Sequence, residues 1–160
     1  MTYEALLMAS DDLGLIAKEK DLQAFDGRIK GNRVAIRRSI PTQRKKACVL
    51  AEELGHFFTS SGDILEDSPA ARKQERKARL WAYDVQIGLS GLIDACKAGC
   101  RNLYEMADFL DVPENFLTDC LTCYHEKYGT EVKFGGYMIY FDPYMEIVPE
   151  QEALRRQHDW

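Results

Sequence analysis

Apolar residues fall at helical spacing from Thr2 to Leu13 (Ala5, Leu6, Ala9, Leu13), and the run stops at Gly14, which predicts a first helix. Leu15 to Lys20 reads as a short strand. Arg28-Ile29-Lys30 and Arg33-Val34-Ala35-Ile36-Arg37 alternate β-branched with charged residues across Gly31-Asn32, the pattern of a hairpin with a two-residue turn. Pro41-Thr42 ends that strand and opens a helix running to about Phe58. Ser60-Ser61-Gly62-Asp63 breaks the pattern, and Ser68-Pro69 restarts it, with serine as N-cap and proline at the first helical position. This helix is expected to run through Trp81 towards Gln86 or Leu89, where Gly88 and Gly91 weaken it.

Two shorter helices follow, Leu103–Leu110 and Glu114–Tyr128, separated by Asp111-Val112-Pro113. They read as a helix-turn-helix-like lobe with Ala107, Val112, Phe116, Leu117 and Leu121 as its core. Val132–Phe134 and Tyr137–Phe141 flank Gly135-Gly136 as a second hairpin, and the charged stretch from Pro149 to Trp160 reads as a frayed tail. Tyr137, Tyr140, Phe141 and Tyr144 are taken as packing residues. The expectation is one α+β domain over 1–148, with a site-bearing core over 1–90, a helical lobe and hairpin over 91–148, and a tail over 149–160.

Composition narrows the function classes. With 46% hydrophobic and 29% charged residues the chain is globular, and its net charge of −5 gives no general pull towards nucleic acid or an anionic membrane. The second helix of the lobe carries no Lys or Arg before Lys127, so direct DNA binding is not expected. No secretory leader and no membrane span is read, which points to the cytoplasm. Five cysteines, an odd number, fit reduced thiols. Cys96-x3-Cys100 and Cys120-x2-Cys123 have the residues for a four-thiolate zinc site, but they lie in helical stretches, and buried free thiols are the simpler reading. His125 is expected on the surface and His158 in the tail.

The chemistry concentrates in Cys48-Val49-Leu50-Ala51-Glu52-Glu53-Leu54-Gly55-His56-Phe57-Phe58. On a helical wheel with Glu52 at zero, His56 falls at about 40° and Glu53 at about 100°. Ala47, Leu50, Ala51, Leu54, Phe57 and Phe58 occupy the opposite side, between about 140° and 260°. Glu52 and His56 are one turn apart, in reach of a single ion. A zincin helix uses His-Glu-x-x-His, two imidazole ligands and a glutamate base; here Glu52 stands in the place of the first histidine, Glu53 in that of the base and His56 in that of the second ligand. Glu75 offers a third ligand, because Ala78 and Ala82 share its face and let two helices approach. Its rival role is an ordinary surface pair with Arg79 at i+4. Gly55 costs its helix roughly 1 kcal/mol against alanine, which makes sense if something packs close there.

Val34-Ala35-Ile36, then Ala51-Glu52-Glu53-Leu54-Gly55-His56, then Glu75-x-x-Ala78-x-x-Trp81-Ala82 resembles the ImmA/IrrE family of metallopeptidases over roughly residues 15 to 90. The resemblance implies a zincin-like fold, metal ligands at His56 and Glu75 and by position at Glu52, a catalytic base at Glu53, and Zn2+ as cofactor, with Mn2+ a harder-ligand alternative. It also implies a protein substrate, a phage or mobile-element repressor. The residues alone leave two further readings: an interaction protein that keeps the fold without the reaction, and a transcription factor using the helical pair. The strand Arg33–Arg37, read as an edge, is where an extended peptide substrate is expected to pair.

Overall fold

The structure, a computed structural model, describes residues 1–60 and 68–158. It is α+β, and its contacts divide it into two compact units, Met1–Gln86 with Asp111–Pro113, and Ile87–Leu110 with Glu114–Trp160. Among the described residues no helix is long and apolar enough to cross a membrane.

The first unit opens with α1 (Tyr3–Asp12), whose first turn is closed by Thr2 Oγ1 accepting from the Ala5 amide at 3.1 Å. β1 (Ile16–Lys20), β2 (Gly27–Lys30) and β3 (Arg33–Arg37) follow. The hairpin is present as read, with Lys30 opposite Arg33 across the Gly31-Asn32 turn and Gly31 at φ 59°. Arg33–Arg37 is not an edge, however. β1 pairs with β3 in parallel on its other side, so the order is β1-β3-β2 and the free edges belong to β1 and β2. Local alternation identifies a strand but carries no information on a parallel neighbour 17 residues away in register (Ile16 with Arg33).

α2 (Gln43–Thr59) starts on Thr42, which accepts from the Lys45 amide, and α3 (Pro69–Gln86) starts on Ser68, which accepts from the Ala71 amide at 3.0 Å. Ala47, Leu50, Ala51 and Leu54 are buried as the wheel requires, together with Val34 and Ile36 on the facing side of the sheet. Phe57 and Phe58 are not: they are 41% and 48% exposed. Phe58 stacks on Trp81, with centroids 5.0 Å apart, an arrangement that leaves the outer faces of both phenylalanines open. Lys46 is the buried cation of the unit, held by Glu19 at 2.9 Å.

In the second unit α4 (Gly88–Lys97) is a helix of its own, set off from α3 by Ile87 at φ −125° and Gly88 at φ 66°. α5 (Leu103–Leu110) and α6 (Glu114–Tyr128) lie where the apolar spacing puts them, although Cys120 and Tyr124 fill the core and Leu121 is only half-buried. β4 (Glu131–Phe134) and β5 (Tyr137–Tyr140) form the expected hairpin, and β6 (Glu146–Pro149) adds a third strand to it. Tyr144, read as packing, is 69% exposed. Residues 150–158 form α7 rather than a frayed tail. Ala153 is buried against Met138 and Val148, and Arg156 ties the helix to Glu146 and Glu152 at 2.8 Å each. Ser61, Gly62 and Asp63 of the break after α2, and the last two residues of the chain, lie outside the described residues.

Candidate functional site

The spacing of α2 and α3 is set by a missing side chain. A Cβ built on Gly55 would stand 2.9 Å from the carbonyl carbon of Ala78 and 3.0 Å from its Cα, and closer still to its carbonyl oxygen. Ala78 and Ala82 are fully buried. The backbones therefore touch where the sequence places a glycine on one helix and small residues on the other, as the cost of Gly55 implies.

That contact brings His56 and Glu75 together from different helices, with Nε2 and Oε2 3.1 Å apart. Arg79 holds the other oxygen, Oε1, at 3.2 Å, so the surface pairing read as the rival role is present alongside the contact with His56. Hydrogen bonding to Glu75 raises the His56 pKa above its ordinary value, and the same bond lowers that of Glu75.

Glu53 lies elsewhere on the helix than a solvated face. A Cβ on Gly27 would stand 2.7 Å from Val49 Cγ1 and 2.9 Å from Glu53 Oε1, so β2 passes directly over the carboxylate. Ile29 contributes a backbone hydrogen bond to it. Burial pushes Glu53 up to about 7 against the opposing pull of His56, and the charges of Glu52 and Glu75 push the same way as burial. Gly27 and Ile29 were not singled out from the sequence. The available signal was a glycine at the start of a strand, which often marks close approach of another element.

Glu52 is half-buried one turn before His56 and acts on His56 and Glu53 through its charge. Among the described residues no group of three or more His, Cys, Asp and Glu side chains is arranged to hold a metal ion, so Glu52, His56 and Glu75 do not converge as a set of three. The pair His56–Glu75 does have suitable spacing. Two donors at tetrahedral angles on a zinc with bonds of 2.0–2.1 Å stand about 3.3 Å apart.

Of the remaining candidates, Cys48 belongs to the first unit and the others to the second. All five cysteines are free, Cys48 and Cys120 buried and the other three half-buried. Cys96 donates to the Ile147 carbonyl and Cys100 to the Glu105 carbonyl. His125 is half-buried, not on the open surface, and lines a concavity of about 430 Å³ in the second unit, while His158 is exposed in α7. Comparison with protein-family models, with curated proteins and with solved structures gave no match.

Proposed function

We propose that the first unit is a zincin-like, metal-dependent endopeptidase centre of the ImmA/IrrE type, acting on a protein partner, by family likeness a phage or mobile-element repressor. The observation that carries this reading is the 3.1 Å approach of His56 to Glu75, two ligand-type side chains brought from separate helices by a glycine–alanine contact. His56 and Glu75 would hold the ion, Zn2+ or Mn2+, with Glu52 assigned as the third ligand by its position in the motif, one turn before His56. A bound ion would supply a Lewis acid for the scissile carbonyl and for an attacking water.

The chain's own residues do the rest. Burial holds the Glu53 carboxyl up to about 7, and an ion bound beside it would draw it back towards the ionised form that accepts a proton. Its carboxylate takes a proton from water and returns it to the nitrogen of the leaving amine. Arg79 fixes one oxygen of Glu75 and leaves the other directed at His56. β2, with one free edge and its backbone over Glu53, replaces Arg33–Arg37 as the strand on which an extended substrate would pair.

A second reading rests on Glu52 standing where the motif has its first histidine: a non-catalytic interaction protein that binds a regulator through the same surface. Elemental analysis separates the two. On the peptidase reading, protein purified without chelator and reconstituted with zinc or manganese carries close to one ion per chain. His56→Ala loses it, Glu75→Gln weakens it, and Glu53→Gln keeps it while slowing cleavage of the partner by about 10²-fold or more. Failure of every one of these preparations to take up metal leaves the interaction reading. Glu52→His is expected to tighten zinc binding in a chelator competition, because imidazole suits zinc better than a carboxylate does. Equal affinities would remove Glu52 from the ligand set.

A further inference from the structure

The sheet of the first unit has two faces of opposite character. Val34 and Ile36 point to the helices, with Ile29 and Ala17 beside them in register. On the other face the same registers bring together Lys18 and Lys20 from β1, Arg28 and Lys30 from β2, and Arg33 from β3, around Ala35. All five cations are exposed and line one concavity of about 560 Å³, whose lining among the described residues includes no Asp or Glu. None of the five has a carboxylate partner among the described residues, whereas nearby Arg37, Arg38 and Lys46 are paired with Asp26, Asp21 and Glu19. In a chain with a net charge of −5, five cations on three strands of one sheet face are a local reversal of the overall charge.

We propose that this face binds single-stranded nucleic acid. Among the described residues the surface is concave and carries no projecting helix to insert into a duplex groove. A peptide laid across the face of a sheet, not along its edge, finds no backbone hydrogen bonds there, and needs a run of acidic side chains to match the cations. A single strand offers a phosphate at every step to the Lys and Arg side chains, and bases that stack. A stacking partner stands ready: Phe25 is 55% exposed, and the Arg28 guanidinium carbon lies 6.0 Å from its ring centroid. Among the described residues the face supplies donors and stacking surface without a side-chain acceptor, so it reads charge and base planes, not sequence. This binding is independent of the metal-site reading.

Fluorescence anisotropy with a labelled oligothymidylate of about 15 nucleotides tests it. The intact chain is expected to bind it more tightly than a duplex of equal length. The log–log salt slope should be about −3, as expected if four or five phosphates are neutralised on a single strand. Lys18→Glu with Lys30→Glu should weaken binding at least about tenfold and flatten the slope. Phe25→Ala should weaken it by up to about tenfold without changing the slope, which a purely electrostatic patch would not do. Lys73→Glu with Lys77→Glu, on the exposed side of α3, serves as the control and should leave binding unchanged. No binding at about 50 mM salt overturns the proposal. So does equal loss in the control pair, or tighter binding of the duplex. Preferential binding of a polyglutamate peptide overturns it in favour of an acidic protein partner.

Discussion

Gly55 in α2 and Gly91 in α4 look alike in the sequence. Each interrupts a helix and costs it about 1 kcal/mol against alanine. Their surroundings differ. At Gly55 the missing methyl is replaced by the backbone of α3, which cannot turn aside. At Gly91 it would meet the tip of a leucine, Leu110 Cδ2 at 3.2 Å, and Ile87 Cγ2 at 3.8 Å. The same contrast runs through the helix pairs. α2 and α3 meet at backbone distance with His56 and Glu75 at their seam, while the buried side chains of α5 and α6 are Met106, Ala107, Phe116, Leu117, Cys120 and Tyr124. A helix glycine thus marks a backbone-to-backbone approach when the facing residue is itself small, and otherwise faces a side chain that can yield.

The largest effect expected from this contrast is that of Gly55→Ala. Despite the gain in helix propensity, the added methyl has to displace α3, and urea denaturation should show a loss of about 2–3 kcal/mol. Metal uptake, if the site binds one, should fall with it. A neutral Gly55→Ala would mean that the seam has slack and that glycine is not the spacer.

Next in size is the electrostatic cost carried by the α2–α3 region. Burial raises Glu53 in the folded state to about 7, so the fold gains from a protonated Glu53. That contribution is fully present below the unfolded carboxyl pKa of about 4.3 and is lost as pH rises through 7. Glu53→Gln removes the dependence. In chelator-treated protein the variant should exceed the wild type by about 1–2 kcal/mol at pH 8, after allowance for partial solvent screening, and match it near pH 4. His56, raised by Glu75, adds a loss in the same direction above its unfolded pKa, so comparing the two proteins at each pH is what isolates Glu53. Equal stability curves would show that the carboxylate is effectively solvated.

The smallest effect is expected at Gly91→Ala. Leu110 can yield by a few tenths of an ångström, so the propensity gain survives and the change should lie within about 0.5 kcal/mol of neutral or be stabilising. A loss comparable to that of Gly55→Ala would erase the distinction between the two glycines.

What the sequence revealed follows the range of each signal. The hairpin turn at Gly31-Asn32, the capping serine and threonine, and the meeting of Glu75 with the His56 helix through Ala78 are written within a few residues of where they act. The central place of β3 is not, because β1 joins it from a distant stretch by backbone pairing that any strand sequence allows. The wheel buried Phe57 and Phe58 because it assumes that the core continues alongside the whole helix, whereas among the described residues Phe57 meets Phe58 edge-on and Phe58 stacks on Trp81, and both stay partly exposed. It set Glu53 on the side away from the apolar stripe, and could not show its burial because it sees one helix and not the strand laid over it. α7 looked frayed from its charge, yet one small residue, Ala153, with an arginine bridging Glu146 and Glu152, anchors it.

The contact at Gly55 also admits a single register of one helix on the other. Sliding α3 by one residue would bring Lys77 or Arg79 to the glycine, and neither offers the small side chain that Ala78 keeps clear of the seam. Sliding it one full turn, about 6 Å, would bring the equally small Ala82 there, so sterics alone would tolerate the shift. That shift would also carry Arg79 to the place Glu75 now holds and set a guanidinium against the His56 imidazole. In the opposite direction Gln74 would meet the glycine and Ala71 would face the histidine. Charge therefore rejects the one slip that shape permits, and the helix pair carries its own proofreading in the spacing of Glu75, Ala78, Arg79 and Ala82.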